Sequence, residues 1–128
     1  MINSKNIPTH LTHKPIVAID YERIDEAANA GDTKSLSIGK ATWDVKNDFS
    51  AKIFRKTYNT GRWSRQSEEL ALWRLIDLTT LLIATIKGKE NEMGAVVSSN
   101  EDLEDLRKHL YKHKDLFEPR IEKLKLLL

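Results

Sequence analysis

Between Lys52 and Arg65 the chain carries five cations, Lys52, Arg55, Lys56, Arg62 and Arg65, and no acid. Phe54, Tyr58 and Trp63 are interleaved with them. Lysine and arginine neutralise phosphates, and aromatic faces stack on bases. The pattern therefore has the chemistry of a surface for an anionic ligand, either a nucleotide or single-stranded nucleic acid. The same cations can instead pair with Glu68, Glu69 and Asp77 and tie a hairpin to the helix that follows. That structural use weighs more, because Glu68 falls at the core edge, where an unpaired carboxylate is costly. The residues put forward as a ligand or partner surface are Lys52, Arg55, Arg62, Trp63, Arg65, Glu68 and Trp73.

An enzymatic alternative uses Glu68 as an acid or base with its pKa raised by burial, and Arg65 or Arg74 to hold an anionic substrate. It ranks below binding. The sequence has no nucleophile elbow, no phosphate-cradling glycine loop, no HExxH helix and no cysteine. Glu68 and Glu69 are neighbours on a helix and so do not face one site. No catalytic residue and no cofactor is assigned. His10 and His13, three apart between Pro8 and Pro15, are read as solvated loop histidines rather than metal ligands, and no metal is assigned. Arg74 and Asp77 are read as a surface ion pair.

These side chains need elements to position them. Ser64 can cap a helix whose first turn carries Glu68 and Glu69, and Lys87 followed by Gly88 supplies a stop, so a long central helix is predicted over residues 65–87. Its periodicity turns Ala71, Leu72, Leu75, Leu78, Thr79, Leu82 and Ile86 inward, and Glu69, Trp73, Asp77, Thr80 and Ala84 outward. Trp73 is expected to pack under the N-terminal arm. Ahead of this helix the period is two. Ser35 to Trp43 and Phe49 to Thr57 read as a β-hairpin across the turn DVKND, spanning residues 35–57. In its second strand Phe49, Ala51 and Ile53 face the helix, while Lys52, Phe54, Lys56 and Tyr58 face solvent.

Residues 1–15, with Pro8 and Pro15, form an extended arm or loop. Ile16 to Ile19 reads as an edge strand. Tyr21 to Ala30 reads as a short helix capped by Asp20 and stopped by Gly31. Gly94 to Val97 is a candidate third strand. Ser98 with Glu101 has capping-box spacing for a helix over residues 100–114, with Leu103, Leu106 and Leu110 inward. Pro119 is placed in the first turn of a last helix ending at Leu127. The terminal LKLLL is too apolar to sit comfortably in water, which makes a homo-oligomer the second functional reading.

The fold class is thus α+β: a small antiparallel sheet packed on the central helix, completed by two C-terminal helices. With 128 residues, 40% apolar and 31% charged, one domain is expected. A net charge of +2 rules out a molecule that binds nucleic acid by its overall field, so any such role must be local. No stretch reads as a signal sequence or a membrane span, and a cytoplasmic location is expected. The block KIFRKTYNTGRWSRQSEELALWRLIDL, with PTHLTHKPIVAIDYERID and KSLSIGKATW before it, resembles a small bacterial family known only as a domain of unknown function. The likeness runs from Pro8 to Ile83 and is sharpest over WSRQSEEL. Ala71 and Trp73 stand where that family carries a proline and a histidine, so the resemblance brings no catalytic histidine to this chain. It implies a shared fold and a bacterial source, without a mechanism.

Overall fold

The structure, a computed structural model, describes residues 1–24, 31–43, 48–57, 61–64 and 72–128. Four strands, β1 (Lys14–Asp20), β2 (Thr33–Lys40), β3 (Phe49–Arg55) and β4 (Val96–Val97), form one antiparallel sheet in the order β3-β2-β1-β4. Among the described residues three α-helices accompany it: α1 (Leu72–Ile86), α2 (Asn100–Lys112) and α3 (Lys114–Leu127). The α+β class and the hairpin are as predicted, with β2 paired to β3 from Thr33 opposite Arg55 to Lys40 opposite Phe49.

The apolar run Ile16–Ile19 is not an edge. β1 lies inside the sheet, between β2 and β4. A continuous apolar run suits that place, since both faces of the strand are buried and alternation has no value there. The predicted third strand is the two-residue β4, which pairs Val97 with Val17 and Val96 with Ala18. A register shift between Pro15 and Val17 allows Ile16 and Val17 to join the same apolar cluster. β2 comes close to β1 here, and a Cβ on Gly39 would stand 2.0 Å from the Lys14 carbonyl oxygen.

The sheet is covered on both faces. On one, Val17, Ile19, Leu36, Ile38 and Ile53 pack with Leu81 of α1 and with Leu106 and Leu110 of α2. On the other, the arm lies across the strands: Ile2 and Ile7 cluster with Ala18, the Ser35 hydroxyl donates to the Asn6 carbonyl (2.6 Å), and the Asn6 amide donates to Asp20 (2.8 Å). This arm corrects two expectations. Phe54, assigned to the solvent face of β3, is 1% exposed. His13 is buried as well, with Nε2 2.9 Å from Ser37 Oγ and Nδ1 3.1 Å from Ser50 Oγ, whereas His10 is exposed. Two small hydroxyls on neighbouring strands give the ring the polar partners a buried imidazole needs.

α1 is rotated relative to its predicted orientation. Leu78, Leu81, Leu82, Thr85 and Ile86 face the core, while Leu75 is exposed. The buried Thr85 hydroxyl is satisfied by the Leu81 carbonyl one turn back (2.8 Å). Trp73 is 62% exposed and does not pack under the arm, because the arm and α1 lie on opposite faces of the sheet. The stop at Lys87–Gly88 is as predicted, with Gly88 at φ 70°. The part of the expected helix before Leu72 lies outside the described residues, as does most of the one predicted from Tyr21, of which a 3₁₀ turn at Tyr21–Arg23 is seen.

Ser99 rather than Ser98 caps α2: its extended backbone lets Oγ accept from the Asp102 amide (3.0 Å), and Ser98 Oγ donates to the Asp102 carboxylate (2.7 Å). α3 begins at Lys114, which leaves Pro119 inside the helix instead of in its first turn. Among the described residues no helix is long and apolar enough to cross a membrane.

Candidate functional site

β3 divides the predicted cations. With a period of two, Lys52, Phe54 and Lys56 take the arm side and Ile53 and Arg55 the helix side. After β3 the chain turns back on itself: the Thr57 amide donates to the Arg62 carbonyl (2.9 Å), the Ser64 amide to the Arg55 carbonyl (2.7 Å), and Trp63 bridges Lys56. Gly61 at φ 63° allows the tight return. The indole therefore lies against the strand it follows.

The result on the arm side is a row of rings with amines over them. His13 meets Phe54 edge-on at 5.6 Å, and Phe54 meets Trp63 at 5.9 Å and 71°. Lys56 Nζ stands 4.7 Å from the Trp63 ring centre, and Lys52 Nζ 5.7 Å from that of Phe54. Among the described residues no carboxylate lies within 4.0 Å of Lys52 or Lys56. The surplus charge is felt nearby. His13 is held down to about pKa 4, first by burial and then by the positive field of Lys52. Arg62, exposed, follows on the same return turn.

Arg55 belongs to a different assembly. It lies 3.4 Å from Asp32, whose other oxygen lies 3.5 Å from Arg74 on α1. The Arg74 guanidinium is 5.9 Å from the Tyr21 ring centre, and the Tyr21 hydroxyl donates to Asp77 at 2.5 Å. Burial and this bond push Tyr21 up to about 12. The predicted Arg74–Asp77 surface pair is thus replaced by two separate inward contacts, since Tyr21 and Asp32 offer partners that the helix surface does not. Asp32 belongs to no motif in the sequence. Its signal is positional: it immediately precedes Thr33, which sits opposite Arg55 in the sheet.

Of the seven residues put forward, Lys52 and Trp63 come together through Phe54, Arg62 is the exposed neighbour of Trp63 on the return turn, Arg55 goes to the Asp32 cluster, and Trp73 makes no ring contact among the described residues. Arg65 and Glu68, and with them the proposed junction of Arg55, Arg65 and Glu68, lie outside the described residues. A concavity of about 890 Å³ opens between the end of the hairpin and α2. There His109 stands 4.0 Å from Asp48 and 4.6 Å, ring to ring, from His113, and burial followed by the His113 charge lowers its pKa. Among the described residues no group of three His, Cys, Asp or Glu is placed to hold a metal ion.

The chain belongs to a family of unknown function, DUF6530, whose model matches residues 5–93. The match takes in most of the arm, β1 to β3 and α1, and so contains both the Lys52–Trp63 row and the Asp32 cluster; β4, α2 and α3 lie beyond it. No curated protein and no solved structure gave a significant match.

Proposed function

We propose that this member of the DUF6530 family is a non-catalytic binding module that takes a phosphate-bearing ligand, single-stranded nucleic acid foremost, on the arm side of β3. The observation that carries the reading is the pair Lys52 and Lys56, on one strand face to either side of Phe54 and with no acidic partner among the described residues. Arg62, next to Trp63, and Arg65, two residues beyond it, are counted with them from sequence alone. Arg55 is not a ligand contact in this reading, because Asp32 already neutralises it.

The geometry favours recognition by charge over recognition by stacking. Phe54 is buried, and Lys56 occupies a face of Trp63. A phosphate that draws Lys56 away uncovers the indole, so binding should be sequence-tolerant, salt-sensitive and visible in tryptophan emission. The test is fluorescence anisotropy with a labelled oligonucleotide over a salt series, comparing the wild type with Lys52→Glu/Lys56→Glu. Affinity is expected to fall at least about tenfold in the variant, with a shallower salt slope. Equal binding by a folded variant, or no binding by the wild type at low salt, would overturn the reading.

A further inference from the structure

His13 is a buried titratable group that the Lys52–Lys56 reading leaves unused. Its ring is held between two hydroxyls, Ser37 Oγ 2.9 Å from Nε2 and Ser50 Oγ 3.1 Å from Nδ1. With a pKa of about 4 the imidazole is neutral at ordinary pH, so one ring nitrogen carries a proton and the other is bare. The hydroxyls decide which. Ser37 is fully buried, and among the described residues its Oγ has no hydrogen-bond partner other than His13. If Nε2 held the proton, the Ser37 oxygen would accept it and leave its own hydrogen unspent away from water, at a cost in free energy. Ser37 therefore donates to Nε2, and the ring proton sits on Nδ1. Nδ1 in turn donates to Ser50 Oγ. Ser50 is half-buried, and with its oxygen accepting from the ring its own hydrogen is directed outward.

We infer that Ser50 donates to the bound phosphate, held in that role by the hydrogen-bond chain Ser37–His13–Ser50, so that the site on β3 begins at Ser50 rather than at Lys52. The inference rests on the reading of β3 given above. Ser50 and Lys52 alternate onto the same face of the strand as Phe54 and Lys56. Residues two apart on such a face are about 7 Å from each other, a span that one phosphate bridges between a hydroxyl and the end of a lysine chain. Accepting from the ring polarises the Ser50 hydroxyl and strengthens it as a donor to an anion. The same chain rules Ser50 out as a nucleophile, because the nitrogen able to take a proton faces Ser37. His13 and Ser37 are thus positioning residues, and Ser50 touches the ligand.

The tautomer is read on the wild type by long-range proton–nitrogen correlation of the histidine rings, with the His13 signals assigned by their loss in His13→Gln. Nδ1 is expected to be protonated and Nε2 bare, and the reverse pattern overturns the inference. Anisotropy with the labelled single-stranded oligonucleotide supplies the second measurement. Ser50→Ala should bind about tenfold more weakly, and Ser50→Thr, which keeps the hydroxyl, should bind as the wild type does. Should Ser50→Ala lose its fold, the wild-type ring decides: the oligonucleotide is expected to shift the His13 Nδ1 resonance, and an unmoved resonance at saturation counts against Ser50 as a contact. Undiminished binding by a folded Ser50→Ala sinks this inference and leaves Lys52 and Lys56 standing, whereas a wild type that binds no oligonucleotide removes both.

Discussion

Tyr21 and Asp77, 56 positions apart in sequence, are joined by a 2.5 Å hydrogen bond from the phenol to the carboxylate. The bond fastens the exit from β1 to α1 at a point where the helix turns polar side chains toward the sheet. Tyr21 is fully buried, so its hydroxyl has no water to fall back on.

Removing that hydroxyl leaves the Asp77 carboxylate half-buried and short of a donor. Tyr21→Phe is expected to lower stability by about 1–3 kcal/mol in urea unfolding. The proton on Tyr21 gives an independent signature. With the folded pKa raised to about 12 from 10, the phenol stays protonated while that of the unfolded chain ionises, so stability falls as pH rises through that window. Tyr21 should titrate late in the tyrosinate absorbance of the wild type, and that late step should vanish in Tyr21→Phe.

Asp32 serves two guanidinium groups at once, one from β3 and one from α1. Asp32→Asn keeps the shape and removes the charge, leaving Arg55 and Arg74 close together without their shared acid. A loss of roughly 2 kcal/mol is expected, discounted for the partial exposure of all three side chains. Thermal unfolding of Asp32→Asn, Arg74→Gln and the double variant checks it: the double should cost little more than Asp32→Asn alone, since both changes break the same contact.

His13 makes stability pH-dependent on the acid side. Its folded pKa of about 4 lies below the ordinary 6.5, so its contribution is fully present above pH 6.5 and is lost as pH falls toward 4. The loss by pH 4 is roughly 3 kcal/mol. His13→Gln, which can bond Ser37 and Ser50 without titrating, should flatten the profile of unfolding free energy between those two values. An unchanged slope would show that other groups dominate there.

How far these features could be read from the sequence depends on the range of the interactions that fix them. The stop at Lys87–Gly88, the β2–β3 hairpin and the inward leucines of α2 follow from local propensity and periodicity, and each matches prediction, although Phe49 pairs with Lys40 rather than with a residue nearer Trp43. The rotation of α1 does not, because Arg74 and Asp77 turn inward only when Asp32 and Tyr21 are there to meet them. Alternation along β3 groups Lys52 and Phe54 correctly on one face. It cannot say that the face is covered, and two lysines flanking the ring make it look wet when their stems merely run along a buried phenylalanine. The hidden information sits in the arm, whose prolines declare only that it is not helical.

That arm also orders events during synthesis. His13 bonds side chains 24 and 37 positions further along, so the segment leaves the ribosome well before the strands it will lie on exist. Until Ala18 and Ser35 have been made, Ile2 and Ile7 have no finished surface to rest on, and the nascent chain must carry them unshielded.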